Sequence, residues 1–210
     1  MRAALFGTGT PASTFIVPPA SLTFQDTSIT GFGYDPARAR QLLAQSGLHL
    51  PLTVQAYFPQ GAVQDAIATV MQQNLQAVGI NLQIVRSDLV TIKSHLVAGT
   101  FQMASSGWDD FVGDPSEEPL FFEDPAYCCH DDFSNYADPA AASLAIRAVN
   151  ATATGSAEAL FRQVQQSEAA SAQVIPLYYP HLVFLTTSHV TGFSADPFGT
   201  YSYPTIAFTK

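Results

Sequence analysis

Between residues 52 and 105 the spacing of apolar side chains switches repeatedly between two periods. Residues 52–58, LTVQAYF, alternate apolar with polar as a half-buried strand does. Ile67, Val70, Met71, Leu75 and Val78 then recur at the 3, 4, 7 spacing of an amphipathic helix over 64–78, which Gly79 ends. Ile80, Leu82 and Ile84 alternate with Asn81 and Gln83 in a second strand, so the unit reads as strand, helix, strand with a parallel pairing and a right-handed crossover. Asp88 caps a second crossover helix over 89–98, Gly99 stops it, and 101–105 returns to period two. The pattern therefore predicts three strands of one open, mainly parallel sheet with flanking helices, an α/β fold.

Flanking elements follow from their caps. Asp35-Pro36 is an N-cap with proline at the first helical position, and Leu42 and Leu43 are the apolar face of a helix over 36–46 closed by Gly47. Asp138-Pro139 caps a helix through Val149, and Ser156 a further one over 157–170, with Leu160, Phe161 and Val164 on one face. Residues 174–179 and 182–186 read as strands. The division expected is a connector over 1–33, an α/β ligand-binding lobe over 34–173, and terminal strands and tail over 174–210.

The carboxyl ends of the three strands fall at Tyr57-Phe58, near Arg86, and at Trp108. In open α/β sheets a ligand binds outside those ends. The segment 99–115, GTFQMASSGWDDFVGDP, carries there the single tryptophan, two adjacent carboxylates and the turn signal Gly113-Asp114-Pro115. Ser105, Ser106, Gly107, Trp108, Asp109, Asp110 and Phe111 are the candidate ligand-binding residues. With Asp109 and Asp110 facing a cleft, the site should prefer cationic or neutral solutes.

Composition narrows the function classes. Hydrophobic residues make up 47% and charged residues 12%, a globular composition with a weakly charged surface. Eight basic residues against seventeen carboxylates leave a net charge of −9, which would repel a phosphate backbone, so no nucleic-acid partner is expected. No apolar run approaches the roughly 20 residues of a membrane span. The start, MRAALFG, is too short in its apolar part for a secretion signal.

Rival chemistries lack their spacing. Gly7-x-Gly9 has no third glycine and no following helix pattern, and Pro11 would interrupt one, so a dinucleotide loop is not expected. Cys128, Cys129, His130, Asp131 and Asp132 are metal-ligand types, but five adjacent residues alternate in direction and do not converge; an exposed loop with no metal is expected. Asp109, Asp110, Asp114, Glu117 and Glu118 could supply an acid and base pair, yet they lie on one loop, and no G-x-S-x-G, H-E-x-x-H or phosphate loop accompanies them. No enzyme and no cofactor are expected, and a carboxylate-dependent hydrolase is the weakest alternative.

Four segments carry a family resemblance: YDPARARQLLAQSG, IATVMQQNLQAVGINLQIV, LVAGTFQMASSGW with its downstream GDP, and NYADPAAASLAIRA. In this order they resemble the C-terminal lobe of the family 5 solute-binding proteins of ABC importers, over nearly the whole chain from about Gly7 to about Phe198. The resemblance implies a type II periplasmic-binding-protein-like lobe that closes like a clamp on a peptide, a nickel complex or another small solute. It also implies a second-lobe fragment of a parent more than twice as long, periplasmic or extracytoplasmic and docking on an ABC permease, with the first lobe and signal peptide outside this chain.

Two departures bear on the ligand. Peptide binders of the family commonly carry an aspartate three residues after the tryptophan, where this chain has Phe111, and some carry a basic residue where it has Ser105 or Ser106. The family's loop cysteine also lacks its usual second partner here. The tail's Val183, Phe184, Leu185, Phe193, Phe198, Tyr201, Tyr203, Ile206 and Phe208 exceed what a loop needs. Self-association through 174–208, or a disordered tail, is expected; the alternative function is a freestanding domain of this fold that binds a protein partner.

Overall fold

The computed structural model describes residues 2–5, 7, 9–12, 26, 28–29, 32–107, 120, 138–196 and 201–209. Its centre is a three-stranded parallel sheet of β2 (Leu52–Pro59), β3 (Ile80–Ser87) and β4 (Met103–Ala104), in the order β3-β2-β4. β2 pairs with β3 from Leu52 opposite Ile80 to Pro59 opposite Ser87, and with β4 at Ala56 opposite Met103 and Tyr57 opposite Ala104. The strand expected over 101–105 is thus shorter, although Ser105 N still donates to Tyr57 O at 2.7 Å and continues the ladder by one residue. Consecutive strands lie on opposite sides of β2, so the two crossover helices pack on opposite faces.

The period-two pattern explains the layers. Ala56 and Phe58 are fully buried beneath α2 (Ala62–Gln76), with Ile67, Ala68 and Leu82 in the same cluster. Tyr57 points the other way, where Ile92 and Leu96 of α3 (Leu89–Val97) cover it together with Phe101 and Ala104. α2 begins two residues before the expected start. Its N-cap is Gly61, which no side chain caps. Gly79 closes the turn into β3 at φ 90°, a conformation that a side chain disfavours, and Leu50 fills the space beside it.

The first segment does more than connect. A short 3₁₀ turn at Arg2–Leu5 sets Ala4 and Leu5 into the α2 core, with Leu5 only 1% exposed. β1 (Gly9–Pro11) then pairs antiparallel with β5 (Tyr178–Pro180). His181 adds two ties at this ribbon: its Nδ1 lies 3.1 Å from Gly7 O, its Nε2 3.0 Å from Thr10 Oγ1. Further along, Asp26 N donates to the buried Gln165 Oε1 at 2.8 Å. The periodicity of residues 1–33 is too broken to reveal either contact, because both partners lie more than a hundred residues away.

α1 (Pro36–Gln45) forms as its cap predicts, Asp35 accepting from Arg38 N at 2.9 Å, but its apolar face is not covered: Leu42 is 45% exposed. A second small core lies between α4 (Pro139–Val149) and α5 (Thr154–Ser171), where Ala141, Ala142, Ala145 and Ala148 let the helices approach closely around Val164 and Leu120. α5 starts at Thr154 rather than 157, and Ala153, not Ser156, is its N-cap.

The tail departs furthest from the sequence pattern. Pro176 has no N–H to give a ladder, and of the first run only Tyr178 and Tyr179 are strand, within β5 (Tyr178–Pro180). Residues 182–186 form no strand, since no described strand lies alongside. β6 (Val190–Thr191) and β7 (Ala207–Phe208) make a separate antiparallel pair. Gly192 faces the Thr205 carbonyl so closely that no side chain fits there. Phe184, Phe193, Tyr201 and Tyr203 follow one another in tilted and edge-to-face contacts at 4.9–6.2 Å between successive centroids, and Val183 and Leu185 stay 77% and 93% exposed.

Asp138 joins the helix pair: it accepts from Ala140 N and Ala141 N, both at 3.0 Å, and from Ser167 Oγ of α5 at 2.8 Å. These bonds, that from Ala141 N first, hold its carboxyl below the ordinary 3.8. Asp138→Ala should cost about 1–2 kcal/mol in chemical denaturation. Because the native pKa is depressed, that difference should be fully present above about pH 3.8 and fade as the pH falls through the native value. Equal stabilities of wild type and variant at neutral pH would refute the assignment.

Candidate functional site

The site grows out of the carboxyl edge of the sheet. α2 follows directly on β2, so its first turn stands over that edge, and two of its side chains reach sideways to the two neighbouring strands. Gln64 meets β4: Ser105 Oγ donates to Gln64 Oε1 at 3.1 Å, and Gln64 Nε2 donates to Tyr178 Oη at 3.2 Å. Asp65 meets β3: its Oδ1 lies 2.8 Å from Arg86 Nη2. The edge therefore runs from Arg86 through Asp65 and Gln64 to Ser105, and on to Tyr178 of β5.

Each group is held for a stated reason. Ser105 is 9% exposed, with both its backbone N–H and its hydroxyl engaged. Gln64 is a side-chain amide that can donate and accept at once, which is what linking two hydroxyls requires. Arg86 stands opposite Phe58 in the parallel register, its guanidinium carbon 5.6 Å from that ring's centroid, a cation over an aromatic face. The side chains of Arg86 and Asp65 are 31% and 56% exposed, so water screens the ion pair in part.

Of the residues singled out from sequence, Ser105, Ser106 and Gly107 are at this edge. Ser105 turns its hydroxyl inward to Gln64, whereas Ser106 and Gly107 are exposed. Trp108, Asp109, Asp110 and Phe111 lie outside the described residues, as do Cys128, Cys129 and His130. Gln64, Asp65 and Tyr178 were not identified from sequence. The available signal was topological, because the first turn of a helix leaving the carboxyl end of a strand must stand at the ligand edge. Among the described residues no group of three or more His, Cys, Asp or Glu could hold a metal ion, and no helix is long and apolar enough to cross a membrane.

Comparison with known proteins agrees with this architecture. The Di/tripeptide-binding protein 4 of Pseudomonas aeruginosa (strain UCBPP-PA14) is 26% identical over 214 residues, a match that covers 98% of this chain and 39% of that protein. The dipeptide binding protein of Pseudoalteromonas sp. SM9913, solved with Met-Leu, superposes with a TM-score of 0.82 at 20% identity over 100% of this chain and 42% of its own. The periplasmic binding protein DppA of Helicobacter pylori, solved with the peptide STSA, gives 0.80 at 22% identity, over 98% and 40%. The chain thus spans about two fifths of these relatives' length, and its fold is that of a type II periplasmic binding protein lobe. The family model for the bacterial extracellular solute-binding proteins, family 5 (middle), matches residues 1–126, well over half of the chain, and the chain belongs to that family.

Proposed function

We propose that this chain contributes one wall of a solute-binding clamp serving an ABC importer outside the cytoplasmic membrane, and that the solute is a small peptide or a compound of similar size. The observation that carries this reading is the position of Ser105 to Gly107: they leave the sheet at the carboxyl edge, beside the first turn of α2, in a chain of this family. Relatives named for di- and tripeptides, or solved with Met-Leu and with STSA, support a peptide as the solute class.

In this reading Trp108 and Phe111 offer apolar contact, Ser106 and Gly107 backbone and hydroxyl bonds, and Asp109 and Asp110 a negative rim that favours a cationic or neutral solute. The second wall and the permease contact belong to other parts of the assembled receptor. Clamp closure then follows from solute touching both walls, since a solute shifts the open-closed equilibrium only as far as it binds the closed form better. Family and fold are those of binding proteins, which supports reading the loop carboxylates as a charged rim rather than as an acid and base pair.

Titration of Trp108 fluorescence in the full chain with a cationic and an anionic dipeptide tests the assignment. The cationic peptide should bind more tightly. The double change Asp109→Asn with Asp110→Asn should weaken it roughly tenfold, about 1.4 kcal/mol, and leave the anionic peptide unchanged or improved. Tighter binding of the anionic peptide to the wild type would remove the negative pole from the reading.

A second reading concerns partners and rests on the exposure of Val183, Leu185 and Phe208, the last at 81%. Residues 182–186 carry no charge and no proline, which suits pairing with another strand, whether in a second copy or in a protein partner. Size-exclusion chromatography with light scattering should give a dimer or larger species for the full chain and a monomer for one ending near Ser188. A monomeric full chain would rule out self-association.

A further inference from the structure

From the geometry of the sheet edge we infer that Gln64 is a positioning residue: it fixes the course on which residues 106 onward leave the sheet and couples them to the ribbon of β1 and β5, so that solute binding and ribbon geometry influence each other. This inference rests on the solute-binding reading above and adds to it a coupling path inside the lobe.

The edge needs such a support. β4 is only two residues long, and Ser105 just beyond it is pinned twice, by its N–H to Tyr57 O at 2.7 Å and by its hydroxyl to Gln64 Oε1 at 3.1 Å. Past it Ser106 and Gly107 are exposed, and a Cβ built on Gly107 would meet no atom within 4 Å. With open space on that side, the course of the segment is set at Ser105. A backbone bond alone lets a strand end twist about it, whereas a second bond to a side chain seated on a helix removes that freedom.

The other arm of Gln64 reaches the ribbon, Nε2 donating to Tyr178 Oη at 3.2 Å. Tyrosine transmits displacement well because its hydroxyl and ring move as one rigid plane. Behind the ring there is no room: a Cβ on Gly9 would lie 2.6 Å from Tyr178 Cδ2 and 2.8 Å from Tyr179 O, so the β1 backbone is pressed against it. The ribbon is itself firmly tied. Gly9 pairs with Pro180, Ala12 N donates to Leu177 O at 3.1 Å, and His181 bonds Gly7 O and Thr10 Oγ1 at 3.1 and 3.0 Å. A displacement of Ser105 therefore turns the Gln64 amide, and the amide moves a ring seated on β1. Such coupling is reciprocal: if the ribbon alters solute affinity, the solute alters the ribbon by the same factor.

The test uses the isotope-labelled full chain and the dipeptide Leu-Leu, with Trp108 fluorescence for affinity and backbone amide NMR for the path. In the wild type Leu-Leu should shift Gly9 and Thr10 as well as Ser106 and Gly107. Tyr178→Phe, which removes a hydroxyl and nothing else, should weaken Leu-Leu about threefold to tenfold through lost preorganisation and diminish the Gly9 and Thr10 shifts. Gln64→Leu should weaken it by a similar factor and abolish those two shifts while keeping the ones at Ser106 and Gly107; adding Tyr178→Phe to it should change the affinity no further. The Tyr178→Phe arm decides alone if Gln64→Leu does not fold. Ribbon shifts that survive Gln64→Leu, or a Tyr178→Phe penalty undiminished in that background, overturn the inference and leave the solute-binding reading standing. So does wild-type affinity in both variants with only their unfolding midpoints lowered, because Gln64 then merely stabilises the fold. A wild type that Leu-Leu does not perturb removes the peptide reading and overturns the inference with it.

Discussion

Parallel pairing imposes the geometry from which everything else in this chain follows. Two parallel neighbours cannot be joined by a tight turn, so each needs a crossover helix that returns the chain to the starting edge. Here β2 has a parallel neighbour on each side, and the alternation of its side chains gives each crossover its own face: Ala56 and Phe58 for α2, Tyr57 for α3. All three strands consequently end at one edge, and the helix turn leaving the central strand stands over it.

That edge concentrates polar groups without burying an unpaired carboxylate among the described residues. Gln64 satisfies Ser105 and reaches Tyr178, so the residue just past the short β4 is tied to a segment seventy-three positions further along. Asp65 on the neighbouring position of the same turn meets Arg86. Adjacent helix positions diverge by about 100°, so two consecutive side chains can serve the strands on either side of β2. A single helical turn thereby links the carboxyl ends of β3 and β4.

The ends of the chain are held by contacts distant in sequence. Leu5 sits in the α2 core, β1 pairs with β5, and His181 reaches both Gly7 and Thr10. The ribbon ties the first strand of the chain to β5. Beyond it the hairpin of β6 and β7 packs its rings against one another, and the intervening residues 182–186 are left with apolar side chains in solvent.

What the sequence determined by itself is local. Asp35, Asp88 and Asp138 cap the helices as their positions predict, because a capping bond spans only two or three residues. The three strands, the two crossovers and the carboxyl edge they share followed from periodicity, since burial of one face is written into every second or every third and fourth residue. Tertiary structure decided the strand order, with β2 rather than β3 in the middle, because alternation names a strand's faces but not its neighbours. It likewise decided that Leu42 stays exposed although its spacing suits burial, that Leu5 is core although its surroundings read as loop, and that residues 182–186 remain unpaired although their composition suits a strand. Arg86 belongs with these. Its strand was legible, but only the register against β2 and the turn of α2 set its charge between Phe58 and Asp65 with one nitrogen unspent, because pairing across the fold is fixed by packing and not by the order of residues.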